Sequence, residues 1–361
     1  MKTKKQHDPL GTIRAFLEDP KNTEILIDGH EHFQVVHDGL LTDVPSPFKT
    51  EQQLMELIEA IAAPLGRHAD ESHPILDLRL QDGSRVHVVI PPISLRGPVV
   101  IIRKATIGKI TAENLIEFGA CSREMMDLLK ACVAARLNIL VAGGTSSGKT
   151  SVLAVLANMI PDEERIILLQ HQDDLLLNKP RLVQLETRPA NLEGRGEITM
   201  RQLVMSAVNL LPERIVTTEI NGGEALELLQ TMNSGHNGCL QGLHATSIFD
   251  ALVRLEEMVG YANPSLPTLN VRSLIASAID VIVYTERLRT GQRRITKIAE
   301  VTGLNHSVVT LRDIFEFRQT GVQDGKVAGY FPATGNIPNF MGRMQDMGIE
   351  LPLSIFTPKT K

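Results

Sequence analysis

The run Gly143-Gly144-Thr145-Ser146-Ser147-Gly148-Lys149-Thr150 has the form G-x-x-x-x-G-K-[ST], and its residue types define what it can do. Glycines let successive backbone N–H groups turn towards one centre, where they hold phosphate oxygens, and a helix beginning at the loop's end adds the positive pole of its dipole. Lys149 is placed to reach the β- and γ-phosphates, the Thr150 hydroxyl to hold a magnesium ion, and Ser151 is counted with the phosphate-binding set. The chemistry implied is binding of a nucleoside triphosphate, ATP with Mg2+. The flanks agree with this. Residues 137–142 form a short apolar run that reads as a buried strand, and Val152, Leu153, Val155, Leu156 and Met159 give the following helix one apolar face.

Three further groups carry candidate chemistry. Arg214-Ile-Val-Thr-Thr-Glu219 reads as a buried strand ending in a carboxylate, the position from which an acid organises magnesium, through water, and the attacking water itself. Equally, Glu219 could cap the helix read over 222–232. The polar loop 188–196 holds Arg188 and Arg195, which either neutralise phosphate charge in the same or a neighbouring subunit or simply lie in solvent. His236 and His244 bracket a strand; they suit γ-phosphate sensing or an ordinary hydrogen-bonded role, and they lack partners at zinc-ligand spacing.

The elements that must position these groups fall into two grammars. Up to about residue 105, short β patterns at 24–29, 33–37, 77–80, 85–90 and 99–103 surround one helix marked by Leu54, Leu57, Ile58 and Ile61, with turns at Asp38-Gly39 and Gln81-Asp-Gly-Ser84. From residue 117 strands alternate with helices, as in a parallel sheet with crossover helices. Strands read at 165–170, 181–187, 214–219 and 239–244. A capping box at Thr199 and Gln202 opens a helix with Met200, Leu203, Val204, Ala207, Val208 and Leu211 on one stripe. Beyond Asp280 come hairpins turning at Thr290-Gly291 and Asp324-Gly325, then a polar tail. The expected division is a flexible start (1–20), an α+β domain (21–105), a linker (106–116), an α/β nucleotide-binding domain (117–310), and a C-terminal β-hairpin and tail (311–361).

Composition excludes several classes. The 361 residues are 43% hydrophobic and 22% charged, those of an ordinary globular protein. With 37 basic against 42 acidic residues the net charge is −5, which argues against nucleic acid as a direct partner. No apolar run reaches about 18 residues, so no segment reads as a membrane span, and the basic start lacks the apolar core of an export signal. Cys121, Cys132 and Cys239 form no paired or metal-binding spacing, which fits a reducing cytoplasm.

With these residues in hand, the chain resembles the secretion ATPases of type II and type IV systems, most closely the CpaF-type ATPases of tight-adherence (Tad) pili. The likeness runs from about Thr23 to Phe356. It is carried by Ala63-Pro-Leu-Gly66, Leu80-Gln-Asp-Gly-Ser-Arg-Val86, Leu185-Glu-Thr-Arg-Pro189, Glu193-Gly-Arg-Gly-Glu197, Gly222-Gly-Glu-Ala225, Met232-Asn-Ser-Gly-His236 and Gly348-Ile-Glu-Leu-Pro352. The resemblance implies a small α+β N-terminal domain and a RecA-like P-loop ATPase domain with ATP held between them. It also implies a hexameric ring, and nucleotide-driven domain closure that works an inner-membrane platform protein from the cytoplasmic face, with membrane association only through that partner. It assigns Glu219 as catalytic glutamate, His236 and His244 to a histidine box, Arg188 and Arg195 to phosphate-facing positions, and Arg103 to an N-terminal-domain arginine that approaches nucleotide.

Three departures stand beside it. Leu169-Gln170-His171 replaces an Ile-Glu-Asp triplet, Thr218-Glu219-Ile220-Asn221 replaces Gly-Glu-x-Arg, and Ser146 replaces a glycine. Asp173 and Asp174 lie too far along the chain to substitute for the missing acids. The expected activity is therefore ATP hydrolysis by a pilus or secretion motor, weak or partner-dependent. The alternatives are an ATP-responsive assembly subunit that hydrolyses little, and a RecA-like nucleic-acid motor.

Overall fold

The computed structural model describes residues 9–358 apart from 20, 38–39, 81, 105–109, 172–174, 176, 189, 191–194 and 324. The turn read at Asp38-Gly39, the pair Asp173 and Asp174, and the middle of the 188–196 loop lie outside the described residues. The chain divides into two compact units, 1–109 and 110–361.

In the first unit α1 (Arg14–Glu18) precedes β1 (Asn22–Asp28), β2 (His32–His37), β3 (Leu40–Val44), α2 (Glu51–Ala62), β4 (Ile75–Arg79), β5 (Arg85–Val89) and β6 (Val99–Arg103). The strands form one antiparallel sheet in the order β3-β2-β1-β6-β5-β4. Alternating residues such as Ile25, Ile27, Val86, Val88, Val100 and Ile102 point to one face, where Leu54, Leu57, Ile58 and Ile61 of α2 cover them. Thr50 caps α2 by accepting from the Gln53 N–H. The start is less free than its composition suggests: Ile13 is fully buried in this core.

The second unit contains α3 (Ala112–Glu117), α4 (Arg123–Ala134), β7 (Ile139–Gly143), α5 (Lys149–Asn158), β8 (Ile166–Gln170), β9 (Leu182–Glu186), α6 (Met200–Val208), β10 (Arg214–Ile220), α7 (Glu224–Asn233), β11 (Leu240–His244), α8 (Ile248–Ala262), α9 (Thr268–Ala278), β12 (Val281–Arg287), β13 (Arg293–Asn305), β14 (Val308–Glu316), β15 (Arg318–Gln323), β16 (Lys326–Tyr330) and α10 (Met341–Asp346). Eight strands order as β14-β13-β12-β7-β11-β10-β8-β9. Those from β12 to β9 run parallel, and β13 and β14 are antiparallel. Every residue of β7 and β8 is buried, because helices cover both faces, as a parallel sheet requires. One face packs on α4 and α5, the other on α6, α7, α8 and α9.

Residues 311–361 do not stand apart. β14 belongs to the main sheet, and Phe340, Met341, Met344 and Phe356 of the expected polar tail are buried against α4 and α5. Their spacing in a mostly polar stretch hides this, since α10 spans only six residues and shows no helical period.

Candidate nucleotide site

The loop between β7 and α5 is fixed from below. Gly143 lies in register with His244 of β11 and Thr285 of β12, and a Cβ on it would collide with the Thr285 carbonyl and hydroxyl oxygens, so only glycine lets these strands close. The buried Thr285 hydroxyl bonds the Ala142 carbonyl at 3.3 Å and the Ser147 hydroxyl at 2.8 Å. Ser147 therefore turns its side chain into the protein, and its N–H bonds the Gly144 carbonyl at 3.3 Å.

Above this base the loop is open. Among the described residues, no turn or loop bond is made to a backbone carbonyl by the N–H of Thr145, Ser146 or Gly148, and no side chain caps α5. A buried or half-buried helix start without a cap is a standing deficit of acceptors. Gly144 has nothing within 4 Å of where its Cβ would lie. Ser146 and Gly148 take left-handed φ values of 56° and 99°, which turn the chain around that space. The Lys149 ammonium folds back to the Gly144 carbonyl at 3.0 Å, Thr145, Ser146 and Thr150 are exposed, and Ser151 is half-buried. Donors, ammonium and an open hydroxyl fit a polyphosphate with its magnesium ion.

β11 lies between β7 and β10, so β10 runs about 10 Å from the loop strand at ordinary strand spacing. Thr217 pairs with Gln241 and Ile220 with Leu243, so β10 carries one residue more than β11 over this interval. The extra residue is a β-bulge at Thr218 and Glu219. It restores Ile220 to the face shared with Ile215, so both Thr218 and Glu219 turn to the opposite face, where α5 packs. Gly242 makes room for it: a Cβ there would lie 2.9 Å from the Thr218 carbonyl carbon and closer still to its oxygen. Gly242 was not singled out in the sequence, although a lone glycine inside a strand pattern is the local sign of a bulge.

Glu219 is half-buried, and no hydrogen bond or ion pair of its carboxylate is found among the described residues. It does not cap α7. That role belongs to Glu224, whose carboxylate accepts the Asn221 and Gly222 N–H groups at 2.7 and 2.9 Å. Gln170 ends β8 at 3% exposure with its Oε1 unpartnered. His171 touches Thr187 Oγ1 at 3.4 Å through Nδ1, and its Nε2 is buried without a partner.

The histidines separate. His244 is next to the loop, with the Ala245 N–H on the Gly143 carbonyl at 3.1 Å. The turn after it is set by Asp250, which accepts the Thr246 N–H at 2.7 Å and so holds its carboxyl below the usual range. His236 precedes β11 and lies beyond the N-terminal end of that strand, opposite the loop, with its Nδ1 buried and unpartnered. The strand between them alone spans about 13 Å, so the register does not bring His236 to the loop of its own chain. Arg188 pairs with Ile198 and donates to the Gly196 carbonyl at 2.6 Å. Arg195 is exposed, and Arg103 ends β6 in the first unit, 3.5 Å from Glu24. Burial pushes the Cys121 and Cys239 thiols up to about 12 and Cys132 higher still, so all three are unreactive. No described helix is long and apolar enough to cross a membrane.

Comparison with known proteins gives the family and the fold. A putative conjugal transfer protein of Mycobacterium tuberculosis is 31% identical over 295 residues, 80% of this chain and 83% of that one. The type IV secretion system protein VirB11 of Bartonella henselae is 27% identical over 330 residues, 80% of this chain and 91% of its own. The crystal structure of the pilus retraction motor PilT with bound ADP shares the fold, with a TM-score of 0.59 at 16% identity over 95% of this chain and 88% of that one. The family of type II/IV secretion system proteins matches residues 17–328, and the chain belongs to it.

Proposed function

We propose that the chain binds ATP with magnesium at the β7–α5 loop and hydrolyses it as a motor subunit of a secretion or pilus machine. The observation that carries this reading is the uncapped start of α5 beneath a loop of open donors, with Lys149 folded over it and the unpaired Glu219 carboxylate turned to the same face of the sheet. Lys149 neutralises β- and γ-phosphate charge, and Thr150, with Glu219 through water, holds the metal. Glu219 orients the attacking water, and His244 stands at the γ-phosphate end of the loop. Magnesium, when bound, supplies neutralisation of the charge that develops on the phosphoryl oxygens. Resemblance alone adds Arg103, Arg188 and Arg195 as phosphate-facing cations, a ring of six copies at the inner face of the cell membrane, a platform protein there, and CpaF-type Tad pili as the machine.

The test is Mg2+-dependent ATPase activity of the purified protein beside Lys149→Ala, with oligomer size recorded with and without ATP. A hydrolytic motor gives turnover that the substitution abolishes. Turnover unaffected by Lys149→Ala refutes the reading. A second reading, an ATP-responsive subunit that hydrolyses little, is favoured by Gln170 and His171, where an amide and an imidazole, each with an unpartnered buried atom, stand at and just after the end of β8. It predicts ATP-dependent assembly with little turnover in either protein. Turnover that rises on adding single-stranded nucleic acid points instead to a nucleic-acid motor.

A further inference from the structure

Arg293 opens β13, and its side chain reaches across the phosphate loop. Its Nε donates to the Ser146 carbonyl at 3.0 Å, and its stem lies over Gly148, where an added Cβ would meet Arg293 Cδ at 3.5 Å and Cβ at 3.7 Å. Ser146 sits at φ 56°, a conformation that costs energy for any residue bearing a Cβ. Rotation of the peptide after Ser146 would leave that φ unchanged, break the Ser147 N–H bond to the Gly144 carbonyl and aim the Ser146 carbonyl oxygen at the space where phosphate binds. The bond from Arg293 exists only while the Ser146 carbonyl points outward. The other strand of the same hairpin holds the next residue, through Thr285 on the Ser147 hydroxyl. The hairpin tip is itself closed by the Leu288 N–H on Gln292 and the Gly291 N–H on Leu288, each at 2.8 Å.

We propose that Arg293 is a positioning residue for nucleotide binding: it straps the Ser146 carbonyl outward so that no carbonyl oxygen enters the space where phosphate binds. The inference rests on the nucleotide-binding reading and adds a residue outside the phosphate-loop pattern, 147 positions along the chain from Ser146. A competing role for an exposed arginine here is direct charge contact with a phosphate. The two separate cleanly, because a glutamine places its amide nitrogen at the same number of bonds from Cα as Arg293 Nε and carries no charge.

The experiment titrates the full chain with a fluorescent ADP analogue and Mg2+, for wild type, Arg293→Ala, Arg293→Gln, Ser146→Gly and the double variant Ser146→Gly/Arg293→Ala, with thermal melts of each. Arg293→Ala is expected to weaken binding about tenfold, equivalent to about 1.4 kcal/mol. Arg293→Gln is expected to stay within about threefold of wild type, roughly half the decade shift expected for alanine. In the Ser146→Gly background the alanine substitution should cost more than the loss of about tenfold expected with serine, because glycine at φ 56° also tolerates the rotated peptide. Unchanged binding in Arg293→Ala, an Arg293→Gln loss equal to that of alanine, or a loss in the glycine background no greater than with serine each overturns the strap. Wild-type protein that binds no Mg·ADP analogue overturns the nucleotide reading itself, and the strap with it.

Discussion

Gly242→Ala tests whether the bulge in β10 aims the proposed catalytic carboxylate. An alanine Cβ at this position would lie 2.9 Å from the Thr218 carbonyl carbon and still closer to its oxygen. To restore the shortest real carbon–oxygen contact the Thr218 carbonyl must retreat by about 1 Å, a displacement worth roughly a hundredfold in rate when it moves a catalytic group. The next side chain is that of Glu219, so the shift passes directly to the carboxylate. The phosphate loop is held also by Thr285 and Arg293 from the other side of β7, so the strain falls first on β10. Steady-state ATPase assays should therefore show kcat lowered about a hundredfold with KM for ATP within about threefold, the pattern of an interaction made only in the transition state. Gly260→Ala in α8 is the control, since nothing lies within 4 Å of its Cβ position and a helical Gly→Ala change stabilises by about 0.5–1 kcal/mol. Wild-type kcat in a folded Gly242→Ala protein would refute the argument, as would a loss confined to KM.

Gln170→Glu should raise Mg2+-dependent kcat by at least about tenfold, since water-orienting carboxylates contribute about 10²–10⁴; an unchanged rate in an already fast wild-type enzyme removes Gln170 as the cause of slow turnover. Arg214 is fully buried and holds Glu164 at 2.6 and 3.1 Å, the Val133 carbonyl at 2.9 Å and the Gly238 carbonyl at 3.3 Å. Arg214→Ala should lower unfolding free energy by about 2–4 kcal/mol in urea titrations, because it empties a fully buried site and removes its bonds to the Gly238 and Val133 carbonyls, while the half-buried Glu164 keeps Arg136 at 2.8 Å. Glu300 is buried, and desolvation raises its carboxyl above the usual range against the Asn339 and Phe340 N–H groups it accepts. The folded state then binds the proton more tightly than the unfolded one, so this group's stability contribution is full below the ordinary carboxylate pKa and falls as pH rises through the folded value. Glu300→Gln should raise Tm at neutral pH and leave it nearly unchanged in acid.

The parts of the site that a short local pattern encodes were legible in the sequence. Residues 143–150 announce the loop by spacing, the apolar stripe from Val152 announces α5, and the box at Thr199 and Gln202 closes as read, with each side chain on the other's N–H. What escaped depends on neighbours brought together by the sheet. Thr285 and Arg293 reach the loop from about 140 residues away, with no local periodicity to betray them. His236 and His244 look like a pair because eight positions separate them, yet a strand converts that interval into length, and only one reaches the loop. Glu219 reads as catalytic or as a cap in the sequence, and only the folded chain shows that Glu224 occupies the α7 N-terminus.

These placements give the two halves of the site different supports. The half proposed to grip phosphate leans on β12 and β13, through Thr285 and Arg293, and its residue pattern is complete in the sequence. The half that would activate water leans on β10 and β8, through the bulge opposite Gly242 and the buried end at Gln170, and there the chain has lost the acids its family resemblance leads one to expect. Because no hydrogen bond described for Glu219 ties it to the loop, a change on one side need not propagate to the other. Binding without efficient turnover is thus available to this fold by local substitution. Gln170→Glu and Gly242→Ala should accordingly move kcat in opposite directions while a fluorescent ADP analogue binds each protein about as tightly as wild type.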